Sequence, residues 1–98
     1  MSINQEGGLQ MKITLQPQEC NGNCSFSGPI IYTKAFGNIF QDETTEIILA
    51  SMSLIFDLVS KNMADYLQVL TVETSTDNIK FWVIDDGSYV TFLLPEDY

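Results

Sequence analysis

The stretch Ile79 to Leu94, IKFWVIDDGSYVTFLL, decides the fold. Two runs of β-branched and aromatic residues flank Asp85-Asp86-Gly87-Ser88, and Asp-Gly suits a two-residue type I′ hairpin turn. With Asp86 and Gly87 as the loop, Ile84 is expected opposite Tyr89, Val83 opposite Val90, Trp82 opposite Thr91 and Phe81 opposite Phe92. Side chains alternate across a strand, so Phe81, Val83, Val90, Phe92 and Leu94 share one face. Trp82, Ile84, Tyr89 and Leu93 share the other. The first set suits a core. The second is unusual, because the solvated face of an antiparallel sheet is normally polar. Either the N-terminal segment or the helix ends cover it, or it is a surface for a partner or a second copy. Trp and Tyr are favoured anchors in such interfaces.

Upstream, Tyr66 to Glu73 reads as a further strand, and Ser75 to Asn78 supplies turn chemistry. From Thr44 to about Lys61 the apolar period is helical. Ile48, Met52, Ile55 and Val59 fall on one side, with Ile47, Ser51, Leu54 and Leu58 beside them and Leu49 and Phe56 flanking. The apolar arc spans about 220° of the wheel, which predicts an embedded helix with a narrow polar strip of Glu46, Ala50, Ser53, Asp57 and Ser60. Asp42 is the expected N-cap, Glu43 and Glu46 complement the helix dipole, and Asn62 suits a left-handed C-cap.

Further upstream the signals weaken. Lys12 to Gln16 alternates like a strand, and Pro17 places it at a sheet edge. Cys20-Asn21-Gly22-Asn23-Cys24 has the composition of a hairpin turn. Ser25 to Thr33 is extended, with a bend at Gly28-Pro29. Residues 1–10 read as a loose tail ahead of a domain spanning 11–98. The expected architecture is α+β: an antiparallel sheet in ββαβββ order packed against one long helix.

Composition narrows the function. The 98 residues hold 13 acids, four lysines, no Arg and no His, for a net charge of −9. Lacking a basic footprint, the chain is expected to bind neither nucleic acid nor an anionic membrane directly. Without His, the commonest general base and metal ligand are both missing, and no enzyme activity, cofactor or metal is expected. No basic-then-apolar leader opens the chain, and Ile47 to Val59 is too short and too polar for a span; a cytoplasmic location is expected. Cys20 and Cys24 are a candidate disulfide pair, with reduced thiols and redox or metal chemistry as the other readings.

The charge is also segregated. Residues 1–41 hold two acids and two lysines, whereas residues 42–98 hold eleven acids and two lysines. The acids gather as Asp42-Glu43-Glu46, Asp85-Asp86 and Glu96-Asp97. Glu46 and Asp57 lie about 16 Å apart along one helix strip. Spaced carboxylates with few counter-charges can imitate a phosphate array and engage a basic protein surface. The leading expectation is thus a small acidic protein-binding or inhibitor module, a nucleic-acid mimic facing a basic partner. The alternative is an accessory or oligomerising module acting through Trp82, Ile84, Tyr89 and Leu93 or an open strand edge, with a homodimer as one form. An enzyme or small-ligand carrier is the third reading.

Overall fold

In the computed structural model, which describes residues 11–16, 22–74 and 76–98, the C-terminal hairpin joins strands Asn78–Asp85 and Val90–Leu93. Its register is shifted from the expected one: Asp85 lies opposite Val90, Ile84 opposite Thr91, Val83 opposite Phe92 and Trp82 opposite Leu93. The loop therefore holds four residues, Asp86 to Tyr89, not two. Its acids explain this. Asp86 Oδ1 accepts the N–H groups of Ser88 and Tyr89, both at 2.8 Å, and Asp85 Oδ1 accepts that of Gly87 at 2.9 Å. These side-chain bonds offer the backbone a turn that competes with the type I′ form. A slip of two residues leaves each side chain on its own face, whereas a slip of one would have exchanged the faces.

The elements run β1 (Lys12–Leu15), β2 (Ile30–Tyr32), α1 (Lys34–Phe40), a 3-10 turn (Gln41–Glu43), α2 (Thr44–Ser60), β3 (Leu67–Glu73), β4 (Asn78–Asp85), β5 (Val90–Leu93) and a last 3-10 turn (Pro95–Asp97). They form an α+β fold with one five-stranded sheet in the order β1-β3-β4-β5-β2. β1 is an edge strand, as expected. Neighbours are antiparallel except β2, which runs parallel to β5. β1 and β2 thus occupy opposite edges and do not form the hairpin that Asn21-Gly22 suggested. Pro17, Cys20, Asn21 and the expected tail 1–10 lie outside the described residues.

Residues 22–29 carry the chain across one end of the sheet. The Cys24 N–H donates to Ala64 O at 3.1 Å, just before β3, and the Phe26 N–H donates to Asp85 Oδ2 at 2.9 Å, at the end of β4. A Cβ on Gly22 would stand 2.7 Å from both Ala64 O and Asp65 Cα, so only glycine permits this approach. Phe26 is buried and adopts φ +50°, a left-handed conformation that bulky residues rarely take.

α2 begins at Thr44, as expected, but a short helix that was not expected, α1, precedes it. Thr33, not Asp42, caps this first helix, its Oγ1 accepting the Phe36 N–H at 3.2 Å. Asp42 instead sits in the 3-10 turn linking α1 to α2, and Glu43 precedes α2 without a side-chain cap bond. Gly37 and Asn38 weaken the helical signal of α1, which is only seven residues long. Asn62 takes φ +57° after α2, as anticipated.

α2 is not embedded. It buries Thr44, Ile47, Ile48, Ser51, Met52 and Ile55, while Leu49 is 64% exposed and Phe56 47%. A domain of this size offers the helix one sheet face and no third layer. The core between them joins Ile47, Ile48, Met52 and Ile55 to Leu70, Val72, Phe81, Val83, Val90, Phe92 and Leu94. Phe36 is its hub. Its ring stands 4.8 Å from Phe40, 5.3 Å from Phe81 and 5.6 Å from Phe92, each in an edge-to-face arrangement.

Candidate protein-binding surface

Both helices pack on the face that carries Leu70, Phe81, Val83 and Phe92, so the opposite face of the sheet has no helix over it among the described residues. Strand register assembles that face into rows. Val69, Trp82 and Leu93 lie side by side across β3, β4 and β5. Leu67, Ile84, Thr91 and Ile31 form the next row, reaching β2. Towards the β1 corner the rows turn polar: Thr14, Thr71 and Lys80, then Lys12, Glu73 and Asn78. Two of the four lysines lie here against one acid, so the negative charge belongs mainly to other parts of the surface.

Of the four apolar candidates, three lie together. Trp82 and Ile84 are half-buried on the outer face and Leu93 is buried beside Trp82. Tyr89 does not join them, because the longer loop takes it off β5 and leaves it exposed. Tyr98 does contact the face, its ring 5.3 Å from Trp82 at 68°. The sequence reading missed Leu67, Val69, Ile31 and Tyr98. Alternation in β3 contained the signal for two of them, but Gln68, a polar residue facing inward, obscured the period. Gln68 is wholly buried, its Nε2 donating to Asp65 O at 2.9 Å.

The acids are not assembled into one cluster. Asp85 and Asp86 sit at the tip of the β4–β5 hairpin, whereas Glu96 and Asp97 follow the far end of β5. Most of the named aspartates have internal partners. Asp97 Oδ2 accepts the Thr33 hydroxyl at 2.7 Å and the Leu94 N–H at 3.1 Å, tying the last turn to the start of α1. Asp57 pairs with Lys61 at 3.0 Å, an exposed i,i+4 contact of the kind that contributes little stability. The Tyr89 and Ser88 N–H groups hold the Asp86 carboxyl below its ordinary range. Asp42, Glu43 and Glu46, around the start of α2, have no side-chain bond among the described residues.

The disulfide expectation rests on Cys20, which lies outside the described residues. Burial, then the nearby charges of Asp85 and Asp65, push the Cys24 thiol up. A raised thiol is less often the reactive thiolate. Among the described residues no three His, Cys, Asp or Glu side chains are placed to hold a metal ion. No described helix is long and apolar enough to cross a membrane. Comparison with protein-family models, with curated proteins and with solved structures gave no match to this chain.

Proposed function

We propose that this chain is a small acidic protein-binding module whose docking surface is the helix-free face of its sheet. The observation that carries the reading is the pair of apolar rows, Val69-Trp82-Leu93 and Leu67-Ile84-Ile31, on a face that neither helix covers. Protein interfaces combine an apolar centre holding aromatic anchors with a polar rim. Here Trp82 is the anchor, and acids at the two ends of β5 form part of the rim. The partner that fits is apolar at the centre of the contact and basic at its margin. Such a rim steers encounter and sets salt dependence, while the apolar centre supplies the lasting contact.

Affinity capture from cell lysate at low and high salt, with wild type and Trp82→Ser in parallel, tests this. Retention of a discrete partner by wild type at both salts, and its loss from a folded Trp82→Ser protein, is the expected result. Equal capture by the two proteins overturns the reading.

The lack of a side-chain bond at Asp42, Glu43 and Glu46 among the described residues favours a second reading, in which the acids alone occupy a basic surface as an inhibitor would. That reading predicts loss of the partner on triple reversal of these residues to Lys, steep weakening by salt, and indifference to Trp82→Ser. Reversal of Asp85 or Asp97 is a poorer test, because both carboxylates hold backbone groups of the fold.

A further inference from the structure

β2 is the outer strand beside β5, and all three of its residues are exposed: Ile30 43%, Ile31 43% and Tyr32 53%. Natural sheets protect an open edge by keeping it short or with charge, proline or a bulge inside the strand; Ile30-Ile31-Tyr32 is short, at three residues, but carries no charge, proline or bulge. The Val90 N–H donates to Pro29 O at 2.8 Å and the Thr33 N–H donates to Phe92 O at 3.0 Å. Backbone groups alternate along a strand. Those of Ile31 therefore face β5, and those of Ile30 and Tyr32 face the open edge.

We infer that a second copy of this chain pairs at this edge, β2 against β2, antiparallel about a two-fold axis at Ile31. The alternation fits that axis. Ile30 comes opposite the partner's Tyr32 and the two exchange both backbone hydrogen bonds, with the same pair repeated across the axis. Ile31 meets the partner's Ile31 in a non-hydrogen-bonded pair about 4.5 Å apart at Cα, which requires its N–H to point away from the axis, as it does. The side chains agree. Ile31 meets its own copy on the helix-free face, and Ile30 meets Tyr32 on the other, an aromatic and β-branched pairing that sheets favour. A contact of this kind is isologous and closes at two subunits.

Charge selects the same edge. Two copies of a chain with net charge −9 repel one another across most of their surfaces. Residues 22–41, which contain β2 and α1, include no Asp or Glu, and Lys34 is their one charge; the acids that reach this segment, Asp85 at Phe26 and Asp97 at Thr33, are held in hydrogen bonds within the fold. Two copies meet there with the least repulsion. The carboxylate that reaches this edge, Asp97, is already bonded to the Thr33 hydroxyl and the Leu94 N–H, so a basic foreign strand would gain little there and the second copy is the better fit.

Sedimentation equilibrium of the full chain, at low and high salt, tests the inference, with circular dichroism as the check on folding. The average mass is expected to rise from 11.0 kDa towards twice that value with concentration, and to do so more readily at high salt, which screens the repulsion. Ile31→Lys sets two ammonium groups against each other on the axis and is expected to give a monomer. Leu49→Lys, on the exposed side of α2, and Trp82→Ser are expected to keep the dimer, which separates this edge from the sheet-face reading. Should Ile31→Lys unfold, Tyr32→Pro replaces it, since that substitution removes an outward N–H and no ladder bond. A monomer at every concentration and salt, or a dimer that survives the edge variant, overturns the inference. So does a dimer abolished by Trp82→Ser and not by the edge variant.

Discussion

Asp85 holds Phe26 in place across 59 residues of chain: its Oδ2 accepts the Phe26 N–H at 2.9 Å, while its Oδ1 accepts the Gly87 N–H at 2.9 Å. One carboxylate thus fixes both the loop that crosses the sheet end and the hairpin that closes it. The Phe26 side is where strain sits, since a buried aromatic at φ +50° needs its surroundings to keep it there. Hydrogen bonds to a charged group contribute more than neutral ones, so Asp85→Ala is expected to destabilise the fold by about 2–3 kcal/mol. Asp85→Asn offers one acceptor oxygen to two donors and should lose about half of that. Urea unfolding of the two variants measures both effects. Stabilities equal to wild type would show that Asp85 is a turn residue and nothing more.

Asp86 makes a prediction in pH. Its carboxyl is held below the ordinary 3.8 by the Tyr89 and Ser88 N–H groups, which favour the charged form in the folded chain. A group whose folded value is depressed contributes stability that is fully present above its unfolded value. That contribution fades as pH falls towards the folded value. The window therefore opens below about pH 4. Asp86→Asn keeps an acceptor oxygen for the turn but removes the titration. The difference in stability between wild type and Asp86→Asn is expected to be constant near neutrality and to shrink below that point. A difference that stays the same down to strong acid would remove Asp86 from the acid response.

How much of this was legible beforehand follows from what each signal reports. The helix-facing side of the last hairpin, Phe81, Val83, Val90 and Phe92, was readable because face assignment depends only on alternation, which survives a shift of two residues. The loop length was not readable, because Asp86 serves equally as a type I′ residue and as a side-chain cap for two N–H groups. Thr33 was an available helix cap, but seven residues containing Gly37 and Asn38 give too short a period to recognise. The exposure of Leu49 and Phe56 could not be read from the helical wheel. The wheel records which residues are apolar and not how many layers exist to cover them. The same limit applied to the candidate site: the Trp82 face was visible as a pattern, whereas Leu67, Val69 and Ile31 joined it only through the pairing of strands distant in the chain. The acids were visible as charge. Their engagement with Phe26, Thr33 and Leu94 depends on tertiary contacts that composition does not encode.

Ser51 tests whether the buried stripe of α2 is core alone. The residue is fully buried between the helix and the sheet, and its Oγ has no hydrogen-bond partner among the described residues. A buried hydroxyl without a partner costs about 1–3 kcal/mol in desolvation, and serine is a weaker helix former than alanine. Ser51→Ala removes both penalties and loses one small atom, so it is expected to stabilise the protein by about 1 kcal/mol, after an allowance for the space left. In a domain of this size that corresponds to a midpoint about 4–8 °C higher. Ser53→Ala is the control. Ser53 is exposed on the same helix, so only the propensity gain of a few tenths of a kcal/mol applies there. The comparison by thermal unfolding depends on the order of the two variants more than on either value. If Ser51→Ala gains less than Ser53→Ala, the hydroxyl has a stabilising role in the folded chain, and the interior of the helix–sheet layer would have to be counted among the sites where this protein does its work.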